Sequence, residues 1–551
     1  AITAEGNEGN FWLGKTWVTN ENINNYAGQL ATWAKSLDEG ADILLYSCFA
    51  ALGEAGQALI GDLAHLTGAD VAASTNATGS ANYGGDWVLE SSTGNIEVLT
   101  PFSDLTLSVW DGKLATRTVT SSADTNTAGT LRFEIGAATA GDLILFDSAR
   151  TVNTTGAITW GQADLTIDGN GSTVQGNNTF RIFNSTAATG TTTIQNLTIS
   201  GGSAAGDGGG MYAKRSITLT NSTVSGNSAS EEGGGLFVKN SGSDITLTNS
   251  TMSGNSAAGA GGGMYANFGD ITLTNSTVSG NSAGDNAGGM YANRDITLTN
   301  STVSGNSAGD KAGGMYTDTG IVLTNSTVSG NSSGDKGGGM YANNGDITLT
   351  NSTVSGNSSG NKGGGLFGRD NITLTNSTVS GNGGSGSGGG LYANSDITLT
   401  NSIIANNTDN GTAPDLKVRT GGMIIATNSL IENSTGATIT GSNNIIGVDP
   451  QLLPLGNYGG PTQTHALALT SPALNAGSNA LAAGLTTDQR GAPGARIANG
   501  TVDMGAFEWQ GFEIVPISNQ NITISSLPST LDVSVKVVEK AFNIIPSVGA
   551  T

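Results

Sequence analysis

Three side-chain types recur in this chain at a fixed interval, and each could do a different chemistry. Aspartates stand at Asp244, Asp270, Asp295, Asp346 and Asp396, each close before an aliphatic pair, and a second set, Asp285, Asp310 and Asp335, lies in the turn before a glycine run. Stacked carboxylates repel unless neutralised, and hard oxygen ligands suit Ca²⁺. Lys311, Lys336 and Lys362 stand beside the second set and offer another neutralisation. The Gly-Gly-x-Gly-x-Asp nonapeptide of calcium-binding β-rolls is absent, so solvated turn carboxylates are the simpler reading and calcium the sharper one. Aromatic residues recur at Tyr212, Phe237, Tyr265, Tyr291, Tyr316, Tyr341, Phe367 and Tyr392. If the preceding Met211 and its equivalents point inward, strand alternation sends these rings outward, as a stripe for lateral packing or for stacking on sugars. The bland alternative keeps the rings inward or under spacer loops. Threonines at Thr218/Thr220, Thr246/Thr248, Thr272/Thr274 and Thr297/Thr299 make a lattice like an ice-binding face. Val322 interrupts it, and ordinary β-propensity explains it better. Catalysis needs an unlike place, acidic residues beside an Arg or Lys, and coil after coil reads nearly the same.

These side chains need a scaffold that repeats with them. The Asn of an Asn-Ser-Thr step falls at Asn221, Asn249, Asn275, Asn300, Asn325, Asn351, Asn376 and Asn401, and subtraction gives spacings of 28, 26, 25, 25, 26, 25 and 25. A fixed period in the twenties means a solenoid. In Ile217-Thr218-Leu219-Thr220 apolar residues alternate with threonine, the mark of a half-buried strand; Val224 begins a second strand and Met211-Tyr212-Ala213 a third. Three short strands per coil describe a parallel β-helix, and Ser, Thr, Asn and Gly without a 3.6-residue period exclude a helical solenoid. Stacked at about 4.8 Å, ten or so coils make a rod on the order of 50 Å. Ile217, Leu219, Val224 and Met211 then stack on Ile245, Leu247, Met252 and Leu236. Asn221 and Asn227 read as turn residues able to bond their copies above and below, which accounts for them better than a glycosylation sequon.

Composition narrows the function classes. The formal charge is −22 with only 12% charged residues, and an acidic surface disfavours nucleic acid and anionic membranes. No run of about 18 apolar residues suits direct insertion into a membrane, and no signal peptide is read. A single Cys48 excludes an internal disulfide framework. All seven tryptophans lie at Trp160 or earlier or at Trp509, and the Trp-free stretch holds nearly all of the repeat. Five segments follow: an incomplete α/β domain at 1–113, a cap and first coils at 114–195, regular coils at 196–410, final coils and a closing cap at 411–510, and a strand tail at 511–551.

Residues 1–110 resemble the second half of a bacterial domain of uncharacterised function found near the start of very large surface and adhesin-type proteins. The carrying residues are Gly6-Asn7-Glu8-Gly9, Asp42-Ile43-Leu44-Leu45-Tyr46-Ser47-Cys48, Gly53-Glu54-Ala55-Gly56-Gln57, Asp70-Val71-Ala72-Ala73-Ser74 and Gly84-Gly85-Asp86-Trp87. Asp42–Tyr46 and Asp70–Ala73 read as strands and Gly56–Leu66 as a helix. The resemblance implies a caspase-type α/β fold whose first strands precede Ala1, with Cys48 at the thiol position. Glu5 holds the place of the histidine base, and a carboxylate is a poor substitute near neutral pH, so the module is read as inactive. Thr130-Leu131-Arg132, Leu143-Ile144-Leu145-Phe146-Asp147 and Leu165-Thr166-Ile167-Asp168-Gly169 resemble the leading segment of bacterial β-helix surface proteins, with a capping helix at Thr130–Ala138. Asn457-Tyr458-Gly459-Gly460-Pro461, Ser471-Pro472-Ala473, Asp488-Gln489-Arg490-Gly491 and Asp503-Met504-Gly505-Ala506-Phe507-Glu508 resemble the choice-of-anchor domain that closes such helices.

The reading is therefore a mainly β chain, a right-handed parallel β-helix with a small α/β domain and a β-rich tail. The uniform coils point to a non-enzymatic role and the resemblances imply export to the surface of a bacterial cell, for a structural or adhesive protein with itself or a cell-surface polysaccharide as partner. In the tail, Leu531, Val533, Val535 and Val537 alternate as a strand without a sheet of its own, which suits strand addition to a second molecule and growth of a filament. A glycan-binding adhesin and a polysaccharide-acting β-helix enzyme are the alternatives.

Overall fold

The computed structural model describes residues 1–4, 6–13, 16–37, 40–80, 85–97, 102, 116–411, 413–515 and 536–539. The chain divides into two compact units. One holds Ala1–Gln175 and Phe183–Thr198; the other holds Gly176–Ile182 and Ile199–Thr551.

In the first unit the apolar run Asp42–Tyr46 is the buried middle strand of a small sheet. Ile2–Thr3 and Asp70–Ala73 flank it in parallel, and Ser91–Ser92 adds an antiparallel strand beyond Asp70–Ala73. The helix Gly53–Thr67 begins three residues before the sequence reading and ends at Gly68, whose φ of 70° only glycine adopts without strain. Its Leu59, Ile60 and Leu63 share a core with Ile43, Leu45 and Val71. Parallel strands follow in this unit, Thr116–Val119, Leu143–Phe146 and Thr166–Gln175 in register with one another. The expected helix is present as Leu131–Ala137; Thr130 caps it, and Leu131 and Ile135 are fully buried.

The second unit is a parallel β-helix whose coils carry four strands, one more than the sequence reading. In one coil these are Met211–Ala213, Ser216–Thr220, Thr223–Ser225 and Ser228–Ala229. Two residues without strong β-propensity hide the last strand from a pattern search. Ile217 pairs with Ile245, Leu219 with Leu247, Val224 with Met252 and Met211 with Leu236, and all eight have no exposed surface. The expected stacking is present. Asn221 makes the bend between the second and third strands at φ 49°, and its copies do the same at 45–50°.

Asn227 does something else. It is 1% exposed and points into the coil. Its amide donates to Asn255 Oδ1 at 2.9 Å and to the Ile199 carbonyl at 3.2 Å, while its backbone N–H donates to the same Asn255 Oδ1 at 3.0 Å. The ladder continues through Asn281, Asn306, Asn331, Asn357 and Asn382 to Asn407, which donates to Asp415 at 3.0 Å. Asn227 and its copies, between the third and fourth strands, thus make the expected amide ladder, and it forms a buried spine inside the coil.

Residues 457–508, expected to close the end of the solenoid, run back along its flank. Thr462 donates to the Asn325 carbonyl, Thr353 shares a hydrogen bond with Thr464, and Ser355 meets His465 Nε2 at 2.9 Å. Further on, Gly505 N–H donates to the Asn401 carbonyl at 2.7 Å. This cover explains why Thr327, Thr353 and Thr378 are buried although the equivalent Thr223 and Thr251 are not. Beneath the cover Arg490 pairs with Asp488 at 2.7 Å, both without exposed side chain.

The tail needs a correction. Lys536–Glu539 pairs antiparallel with Phe512–Val515, placing Val537 opposite Ile514, so this strand has a partner within its own chain. Leu531, Val533 and Val535 lie outside the described residues. No helix among the described residues is long and apolar enough to cross a membrane.

Candidate functional site

Strand alternation puts the aromatic column on the outer face of the Met-Tyr-Ala sheet, where the rings stack on one another. From Tyr212 to Tyr392 successive centroids are 4.5–5.5 Å apart and the planes within 2–25° of parallel. In-register pairing of these three-residue strands sets each ring directly above its copy. Phe237, Tyr265, Tyr316, Tyr341, Phe367 and Tyr392 are each under a tenth exposed, with Ala260, Ala287 and Ala312 of the glycine turns packed against the column. The expected exposed stripe is corrected accordingly: the rings point outward but cover one another. Burial raises the phenols of Tyr265, Tyr291 and Tyr316 far above their ordinary range, so all three stay neutral.

Two polar walls flank this floor. One is the turn column of Asp285, Asp310–Lys311 and Asp335–Lys336. The other is the residue that follows each strand of this sheet, which runs from Lys214 through Lys239, Asn267, Asn293, Asp318, Asn343, Arg369 and Asn394 to Arg419. The walls open into two recesses.

The first recess, about 600 Å³, is lined by Asp207, Glu231, Glu232, Phe237, Lys239 and Asn267. Burial first, then the charges of Asp207, Glu231 and Asp285, pushes the Glu232 carboxyl up to about 7. Burial likewise raises Asp207. Arg181 closes the end of the column, its guanidinium 4.9 Å from the Tyr212 ring and its Nε donating to the Gly208 carbonyl. The uniformity expected of the coils fails here, because Ser230-Glu231-Glu232 and Lys239 belong to the coil with the 28-residue spacing. That longer interval was the visible signal.

The second recess, about 390 Å³, gathers Lys336, Lys362, Arg369, Asn394 and Arg419 around Tyr341, Phe367 and Tyr392. Lys336 is paired with Asp335 at 2.5 Å. Lys362 Nζ lies 3.2 Å from the Tyr392 hydroxyl and 4.5 Å from its ring centroid. Neither Arg369 nor Arg419 has a carboxylate partner among the described residues, and both are exposed. Sequence reasoning did not single out these two arginines, since each stands where other coils carry Asn, Asp or Lys.

The two aspartate columns are engaged in different ways. Asp244 Oδ1 accepts the Asp270 N–H, Asp270 Oδ1 the Asp295 N–H, and Asp295 Oδ1 the Gly320 N–H, all at 2.9 Å. These carboxylates cap the backbone of the next coil. Asp310 and Asp335 instead hold Lys311 and Lys336 at 2.5 Å, and Asp285 lines the turn with an exposed side chain. Among the described residues no group of three His, Cys, Asp or Glu is placed to hold a metal ion. In the other unit, Cys48 has no exposed surface and its Sγ accepts the Thr78 N–H at 3.1 Å. Glu5 lies outside the described residues.

A family model described as "Domain of unknown function (DUF4347)" matches residues 1–114, and one described as "Right handed beta helix region" matches 289–451. The solenoid is a right-handed parallel β-helix. No curated protein matches the chain. Among solved structures, the crystal structure of pectate lyase Pel9A is similar over 71% of this chain and 96% of its own, at 16% identity and a TM-score of 0.37. A likeness of that strength carries no conclusion about activity. The right-handed β-helix serves both surface proteins and polysaccharide-acting enzymes, so the fold alone does not choose between them.

Proposed function

We propose that this protein binds polysaccharide along the groove over its aromatic column, as a non-catalytic component of a bacterial cell surface. The observation that carries the reading is the second recess, where two arginines with no carboxylate partner among the described residues, two lysines and an amide converge over stacked rings. Exposed hydrogen-bond donors at coil spacing suit an extended polymer, which can contact several coils at once, better than a compact metabolite. Recognition here is by polar contact, because the ring faces are occupied by their neighbours. The absence of catalysis is part of the proposal, and the first recess, where Glu231 and Glu232 share a lining with Lys239, is where cleavage would have to occur if that part failed.

The test is retention on a panel of immobilised polysaccharides of mixed charge, with the eluate assayed for cleaved chains. Retention on at least one, without new chain ends, is expected. Passage through every column overturns the binding reading, and release of unsaturated or reducing ends overturns the non-catalytic part.

A second reading, self-assembly into a filament, is favoured by the last coil. Around its strands Ile439–Ser442 and Ile445–Ile446 lie the exposed apolar residues Met423, Ile425, Ile446 and Val448, from 37% to 55% accessible. Sedimentation of the protein and of Ile446→Lys tests it; a monomer at all concentrations removes the reading.

A further inference from the structure

The column that forms one wall of the groove carries a pattern of its own. Arg369, Asn394 and Arg419 occupy the same position in three consecutive coils, since Arg369 N–H donates to the Ala342 carbonyl, Asn394 N–H to Gly368, and Arg419 N–H to Ala393, at 2.9–3.1 Å. Charge, amide and charge therefore alternate up the wall. We propose that this recess recognises an acidic polysaccharide whose negative charge falls on alternate sugars, an inference that rests on the groove being a glycan site.

Three observations carry it. First, the positive charge is concentrated. The chain has 21 Lys and Arg against 43 Asp and Glu, yet Lys336, Lys362, Arg369 and Arg419 line one recess. Lys336 is neutralised by Asp335, and Asp370 follows Arg369 in the chain, but neither arginine is tied to a carboxylate among the described residues. A free guanidinium fork matches the two oxygens of a carboxylate or the oxygens of a sulfate. Secondly, the spacing is set by the fold. Coils stack at about 4.8 Å, so Arg369 and Arg419, two coils apart, stand about 10 Å from each other along the groove. That is comparable with the length of an extended disaccharide, and the Asn394 amide between them offers a donor and an acceptor to a neutral sugar. Thirdly, a neutral glycan has little to hold it. The stacked rings leave no open face, and Lys362 lies over Tyr392. Nucleic acid also presents anions, but the net charge of −22 opposes a polyphosphate whose charges continue past the recess.

The experiment measures binding of the full chain to three probes by calorimetry: hyaluronate oligosaccharides, in which a uronate alternates with an N-acetylated sugar, polygalacturonate, in which every sugar is a uronate, and dextran, which is neutral. Hyaluronate is expected to bind at least tenfold more tightly than dextran and more tightly than polygalacturonate. Arg369→Gln with Arg419→Gln should remove at least tenfold of that affinity while leaving the circular dichroism spectrum unchanged, and 0.5 M salt should weaken it further. Dextran binding as well as hyaluronate, or a double variant of undiminished affinity, overturns the acidic specificity and leaves the glycan-binding reading standing. Polygalacturonate binding as tightly as hyaluronate overturns the alternation. Failure of all three probes, together with failure on the mixed panel, overturns the glycan site itself.

Discussion

Removing one rung of the asparagine spine should destabilise its coil far beyond the volume lost. Asn306 has no exposed surface. Its Oδ1 accepts the Asn281 backbone N–H and one Asn281 amide hydrogen, both at 2.9 Å, and its own amide donates to Asn331 Oδ1 at 2.9 Å and to the Val278 carbonyl at 3.0 Å. In Asn306→Ala the Asn331 oxygen keeps the residue-306 backbone N–H, whereas two donors on Asn281 lose their acceptor. At about 1–3 kcal/mol for each buried unsatisfied group, the loss is about 4 kcal/mol. Thr297→Ala, on the solvent side of the same coil, should cost less than about 0.5 kcal/mol and serves as the control. Because a solenoid unfolds by neighbouring units, a single global midpoint understates a local defect, and amide hydrogen exchange resolved along the chain is the better assay. Protection should fall most in the coils around Asn281 and Asn306 and recover toward the ends. A change under about 1 kcal/mol, or one no larger than in Thr297→Ala, refutes the view that the spine holds the coils together.

Glu232 makes the first recess pH-sensitive. Its folded-state value of about 7 lies above the ordinary 4.5, so its contribution to stability is full below about 4.5 and is lost as pH rises through 7. The melting midpoint should therefore fall between pH 5 and pH 8, and Glu232→Gln should flatten that slope; an unchanged slope in the variant removes the explanation. Midpoints in EDTA and in millimolar calcium should coincide, since the column carboxylates are engaged by backbone N–H groups and lysines, and a rise with calcium would reveal a native-state site. Gln489, with no exposed surface, donates to Thr327, Thr462 and the Gln463 carbonyl and accepts from Thr353. Gln489→Ala should loosen the returning segment and expose it to limited proteolysis near residues 457–508 while the coils remain protected; cleavage at the wild-type rate would show that Gln489 does not hold the segment down.

The coil was legible because its causes are local and repeated. Alternating Ile-Thr-Leu-Thr dictates a strand with one buried face, and a constant spacing forces like residues into register, which places Ile217 on Ile245 and Tyr212 on Phe237 before any coordinate is known. The α/β elements of the first domain were legible for the same reason: Asp42–Tyr46 is a continuous apolar run and Gly68 stops a helix. Residues whose role depends on what lies opposite them were not. Asn221 and Asn227 look alike in sequence, yet one bends the backbone at positive φ and the other is buried, and only the closed coil distinguishes them. Strand alternation sends the aromatic column outward only if Met211 and its equivalents point inward, which the sequence leaves open, and whether it is open to solvent depends on stacking between neighbours and on the glycine turns. Arg369 and Arg419 stand 50 residues apart in the chain and two coils apart in space, so their convergence is a property of the winding. The return of residues 457–508 along the flank is the furthest from sequence, because contacts such as Thr353 with Thr464 join surfaces more than a hundred residues apart that carry no shared pattern.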